Sequence, residues 1–231
     1  MIRQAIIPLA GLGTRLLPLT SVFAKELLPM NGKPGIEYIL DECIDAGIKE
    51  VVFIISKNKM MIKDYFYKDS FYKKIIKKKG DKRIIKEYRK ILKYKKMIKF
   101  VYQNKPLGTG DAVLKTKKFI KDKYFLMLLP DDLILKKNCS KDMISISMKN
   151  KCSVMASMKV KKNNVSRWGI YSVSKRLNKD NFFIKDVIEK PTIKNAPSAN
   201  AVIGRYILPK KIFSKLKNLK PGKGGEIHIT D

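Results

Sequence analysis

The residues of this chain best suited to chemistry follow its first apolar run. Ile6–Ala10 leads directly into the sequence G-L-G-T-R-L-L-P, which begins at Gly11. Glycines let the backbone approach an anion closely and turn its N–H groups toward it. Arg15 and Lys25 add two full positive charges after these glycines. The pattern predicts a phosphate-binding loop, whose residues are Ala10, Gly11, Gly13 and Thr14.

Two common phosphate-binding motifs are excluded. The dinucleotide fingerprint needs a third glycine, and Leu16 stands at that position. The P-loop needs Gly-Lys followed by Ser or Thr, and no such triplet follows. A Gly-x-Gly pair after a strand is most often an ordinary turn. The longer string G-x-G-T-R-(x)2-P-x-T, with Lys-Glu-(x)2-Pro shortly after it, is far more specific.

This string resembles the sugar-1-phosphate nucleotidylyltransferase family, and the resemblance covers nearly the whole chain. Further matching motifs are Gln103 with L-G-T-G-D-A-V, L-P-D-D, W-G, E-K-P, V-I-G-R-Y and G-E-I-H-I-T-D. The thymidylyl-transferring branch of the family usually reads Gly-Ser-Gly-Thr-Arg and Lys-Gln at the first two sites. Leu12 and Glu26 therefore favour the uridylyl-transferring branch.

The resemblance implies transfer of a uridylyl group from UTP to glucose 1-phosphate, with release of pyrophosphate. One multiply charged anion must attack the α-phosphorus of another, so catalysis depends mainly on neutralising charge and aligning the reactants. No Ser–His–Asp or Cys–His pair is needed. The only histidine is His228, which alternates with apolar residues where the family often has Gln. We expect His228 to be structural.

The resemblance also assigns the phosphate and metal contacts. Arg15 is expected at the β- and γ-phosphates and Lys25 at the α-phosphate; otherwise Lys25 is one surface charge among many lysines. Asp131 follows an apolar strand, so we expect it at the carboxyl edge of the sheet, where ligands of open α/β folds bind. Mg²⁺ prefers one or two carboxylates plus phosphate oxygens and water. Asp131 is the expected Mg²⁺ ligand, and Asp132 is either a competing ligand or a turn or cap residue.

The base and the sugar are assigned to two other regions. The amide of Gln103 can donate and accept one hydrogen bond each, which matches the edge of uracil. Gly108 would let the backbone lie against the base. A glutamine at a strand end is otherwise a solvent-facing polar residue. The resemblance places Glu189 at the glucose hydroxyls, Gly169 beside it as a backbone contact, and Lys190 at a phosphate.

Apolar periodicity predicts the elements that carry these residues. Strands with continuous apolar runs are expected at Gln4–Leu9, Val51–Ile55, Phe100–Gln103 and Tyr124–Leu129. Helices are expected at 36–44, Ala112–Ile120, Asp142–Lys149 and Lys211–Leu219. After residue 150, strands are expected at Val154–Val160, Gly169–Val173, Phe182–Val187 and Ala201–Ile207. Continuous apolar strands between amphipathic helices indicate an α/β fold, a Rossmann-like mixed, mostly parallel sheet with helices on both faces.

Composition narrows the class of protein further. A chain of 231 residues with 45% hydrophobic residues suits one domain. The resemblance implies that this domain has a nucleotide-binding N-terminal half and a sugar-binding part over 150–231. Three widely spaced cysteines without C-x-x-C argue against a disulfide scaffold or zinc site and favour the cytoplasm. We expect no signal peptide and no membrane span, since no apolar run approaches ~20 residues. The resemblance also implies a homo-oligomer.

The formal net charge of +31 has two explanations. Only seven of the 51 basic residues are arginine. Nucleic-acid-binding proteins usually rely in part on arginine, because its planar guanidinium binds phosphates and guanine with two hydrogen bonds. The abundance of Lys, Ile and Asn favours mutational drift in an A+T-rich genome. Lys73–Lys99 carries 14 basic residues and two acids, with apolar positions that suit helical hairpins. A solvated basic surface is favoured over a polyanion-binding patch, so a nucleic-acid partner is not expected.

The sequence ends directly after G-E-I-H-I-T-D. Members of the resembling family continue for several more elements, which include a Lys and a second metal-binding Asp. We therefore expect a C-terminally truncated chain that binds UTP but turns over slowly. The alternatives to uridylyl transfer are a related transferase with another base or sugar, a low-activity remnant, and a basic polyanion-binding protein.

Overall fold

A computed structural model of the chain describes residues 1–220, 222, 225–227 and 229. His228 lies outside these described residues. The strands are β1 (Gln4–Pro8), β2 (Pro29–Met30), β3 (Lys33–Pro34), β4 (Glu50–Ile55), β5 (Ile98–Tyr102), β6 (Tyr124–Leu128), β7 (Val154–Lys159), β8 (Gly169–Arg176), β9 (Phe182–Glu189) and β10 (Asn200–Pro209). The α-helices are α1 (Gly35–Asp45), α2 (Met60–Tyr67), α3 (Ser70–Lys79), α4 (Lys82–Met97), α5 (Gly108–Lys115), α6 (Cys139–Asn150) and α7 (Ile212–Asn218).

The main sheet has eight strands in the order β5-β4-β1-β6-β10-β8-β9, and β7 also pairs with β10. The first four are parallel to one another. Strand β10 runs antiparallel to β6, β7 and β8, and β9 runs antiparallel to β8. Strands β7 and β8 therefore point the same way as β6, and only β9 and β10 of this sheet run the other way. The predicted mixed, mostly parallel sheet is confirmed.

Helices cover both faces of the sheet, as the continuous apolar strands indicated. Ala5 and Ile7 of β1 pack with residues of α1, α2, α4 and α6, whereas Ile6 packs with residues of α5 and α7. All three side chains are fully buried. A strand enclosed on both faces cannot alternate apolar with polar residues, which explains its uninterrupted apolar run.

Three elements differ from the predicted bounds by three residues or more. Helix α5 begins and ends earlier than predicted. Its earlier end is explained by Gln4, whose side chain binds the segment that follows the helix. Gln4 Nε2 donates to Phe119 O at 2.7 Å, and Gln4 Oε1 accepts from the backbone N–H groups of Lys121 and Asp122. Helix α6 begins earlier because Asn138 caps it by accepting from Lys141 N at 2.8 Å. Strand β8 runs three residues further because it stays paired with β9.

The basic segment Lys73–Lys99 lies mostly in α3 and α4, as the helical-hairpin prediction required. Helix α4 contributes Ile91, Tyr94 and Met97 to the core, whereas α3 has no buried residue. Most of the basic side chains are exposed. Within the described part of the chain, no helix is long and apolar enough to cross a membrane.

Candidate active site

A cleft of about 490 Å³ opens where the parallel strands β1, β5 and β6 end. Its lining includes every residue predicted for nucleotide binding, namely Ala10, Gly11, Gly13, Thr14, Gln103 and Gly108. Lys25 and Asp131 line the same cleft. The carboxyl ends of parallel strands are the usual ligand-binding edge of open α/β sheets. The fold therefore brings together three segments that are distant in the sequence.

The glycine loop turns tightly after β1. Gly13 has a φ of +72°, a left-handed conformation that glycine adopts without steric cost. Thr20 Oγ1 donates to Gly13 O at 2.8 Å, and a Cβ on Gly13 would lie 3.1 Å from the Thr20 methyl. Gly11 is different, because a Cβ there would meet nothing within 4 Å. Gly13 thus shapes the turn, while the absence of a side chain at Gly11 leaves the cleft open.

Lys25 and Asp131 face each other in the cleft. Lys25 begins a short 3-10 helix, and its Nζ lies 3.3 Å from Asp131 Oδ2. The two side chains are 23% and 58% exposed, so this pair contributes little to stability. Both charges remain accessible to a ligand that enters the cleft.

The residue next to Lys25 belongs to a buried ion pair. Lys59 Nζ, between β4 and α2, donates to both carboxylate oxygens of Glu26 at 2.8 and 2.9 Å. Burial lowers the pKa of the Lys59 ammonium from its ordinary value, and the Glu26 carboxylate opposes that shift. The sequence analysis used Glu26 only to distinguish branches and did not select Lys59, because nothing local to Lys59 indicates its partner.

Gln103 immediately follows β5 and is buried beside the start of α5. Its Nε2 donates to Gly108 O at 3.1 Å and to Asp111 Oδ2 at 2.8 Å. Both amide hydrogens therefore have protein acceptors. The described residues supply no hydrogen-bond donor to Gln103 Oε1. That oxygen is the atom that can accept from a ligand N–H, whereas donation to a base would require Nε2 to exchange a partner.

Position 108 requires a glycine because the backbone at Ile227 approaches it closely. Its φ is +90°, and a Cβ would lie 2.4 Å from Ile227 O. Ile227 N donates to Leu107 O at 2.9 Å, and Gly110 N donates to Ile227 O at 2.7 Å. The close contact at Gly108 in this structure is thus with Ile227, while Gly108 also lines the cleft.

The two aspartates of the L-P-D-D motif have different environments. Asp132 Oδ2 accepts from Gly204 N at 2.6 Å, which favours the structural alternative for Asp132. The Asp131 carboxylate is more exposed and lines the cleft. Among the described residues, no cluster of three or more His, Cys, Asp or Glu could hold a metal. One accessible carboxylate fits Mg²⁺ only when phosphate oxygens and water complete the coordination.

The residues predicted for the sugar meet where β8 and β9 pair. Gly169 lies opposite Glu189, and a Cβ on Gly169 would lie 3.0 Å from Glu189 Oε2. Lys190 N donates to Trp168 O at 3.0 Å, and Lys190 Nζ lies 3.9 Å from Glu189 Oε1. Neither Gly169, Glu189 nor Lys190 lines the 490 Å³ cleft itself.

Tyr206 of β10 lies close to carboxylates of both the cleft and the region predicted to bind the sugar. Burial, followed by the carboxylates of Asp132, Glu189 and Asp131, raises the pKa of Tyr206 to about 12. Glu189 and Asp131 therefore both lie within electrostatic range of one buried hydroxyl.

Arg15 stands apart, because it is exposed in a short 3-10 helix and does not line the cleft.

Comparison with known proteins tests the family resemblance that the motifs of this cleft indicated. A family model described as nucleotidyl transferase matches residues 4–231. The chain therefore belongs to the nucleotidyl transferase family, and the resemblance inferred from its motifs is confirmed.

Particular relatives narrow the comparison. A UTP–glucose-1-phosphate uridylyltransferase of Streptococcus pyogenes is 36% identical over 235 residues, covering all of this chain and 78% of its own. The crystal structure of a UDP-glucose pyrophosphorylase complexed with UDP-glucose is similar with a TM-score of 0.86 and 37% identity, and the match covers 100% of this chain and 85% of that one. A UTP-bound UGPase from Acinetobacter baumannii matches with a TM-score of 0.87 and 31% identity, over 94% and 78% of the two chains.

Proposed function

We propose that this protein transfers a uridylyl group from UTP to glucose 1-phosphate, which yields UDP-glucose and pyrophosphate. The observation that carries the proposal is the cleft, which combines a glycine loop, Lys25, Gln103 and Asp131. The similarity of the whole given chain to a UTP–glucose-1-phosphate uridylyltransferase and to a UDP-glucose pyrophosphorylase complexed with UDP-glucose supports this choice of substrates.

The reaction needs charge compensation and alignment more than covalent catalysis. A phosphate oxygen of glucose 1-phosphate forms a bond to the α-phosphorus of UTP. The bond from that phosphorus to the β-bridging oxygen breaks, and its electron pair leaves with pyrophosphate. In our proposal, Lys25 stabilises charge at the α-phosphate, and Arg15 turns from its exposed position toward the β- and γ-phosphates. Backbone N–H groups of the glycine loop bind the same oxygens.

Asp131 would hold Mg²⁺ in this proposal, because its carboxylate is accessible in the cleft while that of Asp132 is bonded to β10. When bound, Mg²⁺ supplies positive charge to the phosphate oxygens at the reacting centre. Lys25 lies 3.3 Å from Oδ2 of the same carboxylate, which places its positive charge next to the proposed Mg²⁺ ligand.

Base and sugar recognition are assigned to the remaining residues. Gln103 Oε1 accepts from the uracil N–H, and Gly108 leaves room beside the base. Glu189 accepts hydrogen bonds from glucose hydroxyls, since Gly169 has no side chain to block its carboxylate. Lys190 then binds a phosphate of the sugar nucleotide.

The activity is tested by incubating the protein with Mg²⁺, UTP and glucose 1-phosphate and measuring pyrophosphate and UDP-glucose. We expect pyrophosphate release that depends on both substrates. A clear preference for dTTP, ATP or GTP would contradict the uracil assignment and leave the family assignment intact. No turnover with any nucleoside triphosphate and sugar 1-phosphate would contradict the proposed reaction.

We also propose that the enzyme is a cytoplasmic homo-oligomer. The three cysteines, Cys43, Cys139 and Cys152, are free thiols, which suits a reducing compartment. Size-exclusion chromatography with light scattering tests the assembly. A mass near 26.6 kDa would show a monomer and contradict the oligomer.

A further inference from the structure

We propose that Arg205 of β10 is a positioning residue that, together with Gly204 and Asp132, holds the loop carrying Asp131 in its productive conformation. The proposal deepens the function proposed above and rests on it, because Asp131 is the residue assigned to Mg²⁺. The sequence analysis noted V-I-G-R-Y only as a family motif and gave Arg205 no role.

Arg205 has an unusual environment for so polar a side chain. It is fully buried, and all of its guanidinium nitrogens donate hydrogen bonds. Nε and Nη2 bind the carboxylate of Glu42 on α1, with the shortest distance 2.8 Å. Ser140 Oγ of α6 donates to the same carboxylate at 2.5 Å. The charge of Arg205 is thus neutralised from the helix layer that covers the sheet.

The two terminal nitrogens of the guanidinium also donate hydrogen bonds to the loop between Leu129 and Asp132. Nη1 donates to Leu129 O at 3.1 Å, and Nη2 donates to Asp132 O at 2.7 Å. These two carbonyls lie on either side of Pro130 and Asp131 in the sequence. One planar side chain therefore holds both ends of a four-residue loop, a task that the flexible, single ammonium of lysine performs poorly.

Gly204 completes the attachment. Its carbonyl accepts from Leu129 N at 2.8 Å, and its N–H donates to Asp132 Oδ2 at 2.6 Å. A Cβ on Gly204 would lie 2.4 Å from Leu129 Cβ, so only glycine lets β10 approach the loop this closely. The loop is bonded at both ends, and the Asp131 carboxylate between them remains accessible to the cleft.

A positioning role differs from a merely structural one in what its loss changes. Displacement of a catalytic group by about 1 Å can reduce turnover on the order of 100-fold while leaving the fold intact. We therefore expect a displaced Asp131 to lower kcat and weaken divalent-cation binding, with a smaller effect on KM for UTP. A loss of stability elsewhere in the molecule would leave kcat, divalent-cation binding and KM for UTP of the folded protein unchanged.

Two changes at Asp132 give the first test. Asp132→Ala removes the acceptor for Gly204 N, whereas Asp132→Asn keeps an oxygen acceptor without the charge. We expect roughly 10- to 100-fold lower kcat and a higher Mg²⁺ concentration for half-maximal rate in Asp132→Ala. Asp132→Asn should recover most of both. If Asp132 were itself a metal ligand, Asn would fail to rescue, and the proposal for Asp132 would be wrong.

Arg205 is tested by removing both buried charges together. Breaking one partner of a buried ion pair is strongly destabilising, but replacing both by apolar residues of similar volume often preserves the fold. The double variant Glu42→Met with Arg205→Met should therefore fold, by circular dichroism, and show the same loss of kcat as Asp132→Ala. Phe213→Leu, which removes the stacking of Phe213 on Phe125 in the core of the opposite sheet face, serves as a control that lowers the melting temperature without removing any hydrogen bond of the loop.

The binding of Mn²⁺ to the protein–UTP complex, followed by electron paramagnetic resonance, supplies a readout besides activity. We expect weaker Mn²⁺ binding in Asp132→Ala and the double variant, largely recovered binding in Asp132→Asn, and unchanged binding in Phe213→Leu. Wild-type affinity and kcat in both the Asp132→Ala and the double variant, once folded, would overturn the proposal. Wild-type protein that binds Mn²⁺ and UTP but makes no UDP-glucose would refute the proposed reaction alone, and the Mn²⁺ affinities would still decide the positioning role.

Discussion

At the scale of single residues, Lys25 is the cation best placed to act on a phosphate. It lies in the cleft 3.3 Å from Asp131, whereas most of the other lysines are exposed on the surface. We predict that Lys25→Ala reduces kcat roughly 100-fold, as the loss of one transition-state donor typically does, with a smaller change in KM for UTP. Steady-state pyrophosphate release measures both constants.

Lys49→Ala is the matched control for Lys25. Lys49 is exposed just before β4, at the sheet edge opposite the cleft, so its removal should leave kcat unchanged. Wild-type turnover in Lys25→Ala would remove that residue from the mechanism. An equal loss in both variants would indicate a general effect of charge.

Glu189 provides a test of the sugar subsite. Its carboxylate lies beside Gly169 at the end of β9 and is 62% exposed. Glu189→Gln weakens acceptance from sugar hydroxyls, so we predict roughly a 10-fold higher KM for glucose 1-phosphate and little change for UTP. Asp186→Asn on the same strand is the control, because the Asp186 carboxylate accepts only from the backbone N–H of Val187 among the side-chain hydrogen bonds of the described residues. An unchanged KM for glucose 1-phosphate would place the sugar elsewhere.

At the scale of elements, an ion pair and a hydrogen bond of Asp41 link helix α1 to its neighbours. Asp41 forms an ion pair with Lys33 and accepts from Tyr94 Oη at 2.5 Å. Burial alone would raise the pKa of Asp41, but the hydrogen bonds from Lys33 and Tyr94 lower it below the ordinary value of 3.8. The ionised carboxylate therefore links α1 to β3 and to α4.

The pH dependence of this link has a definite sign. Because the native pKa is lowered, the stabilisation is complete above pH 3.8 and is lost as pH falls through the native value. Asp41→Asn should lower the free energy of unfolding by about 1 kcal/mol at pH 7, a value reduced for partial exposure. The difference from the wild type should shrink below pH 3.8.

Urea denaturation at pH 7, 5 and 3 measures this difference for Asp41→Asn. The matched control is Asp45→Asn, which is exposed on the same helix and should change stability little at any of these pH values. A difference between wild type and Asp41→Asn that stays constant down to pH 3 would contradict the assigned pKa direction.

At the scale of the whole molecule, the net charge of +31 opposes the compact state. Added salt screens this repulsion, since the Debye length falls from about 30 Å at 0.01 M to about 10 Å at 0.1 M. We predict a higher melting temperature in 0.2 M than in 0.02 M sodium chloride, by roughly 2–4 °C for each kcal/mol gained. Thermal denaturation followed by circular dichroism measures it, with sucrose as the uncharged control, and a melting temperature that falls with salt would contradict the argument.

Local patterns in the sequence determined much of this protein. The apolar runs predicted β1, β4, β5 and β6 to within two residues, because a strand covered on both faces must be apolar throughout. The glycine loop, Lys25, Gln103 and Asp131 were selected from their motifs, and the structure brings all of them to one cleft. These features depend on residues close together in the chain, so they could be read from the sequence.

Only the tertiary structure decided which partners these residues have. Arg205 and Glu42 are separated by 163 positions, and Asp132 and Gly204 by 72, so no local pattern joins them. The end of α5 likewise depends on Gln4, which lies more than 100 residues earlier. A hydrogen bond has directional geometry and requires its two groups to be placed by the whole fold, whereas apolar burial follows from periodicity alone. The sequence therefore determined the family and most of the residues predicted for the cleft, with Arg15 as the exception, whereas the hydrogen bonds between β10 and the Asp131 loop were decided only by the fold.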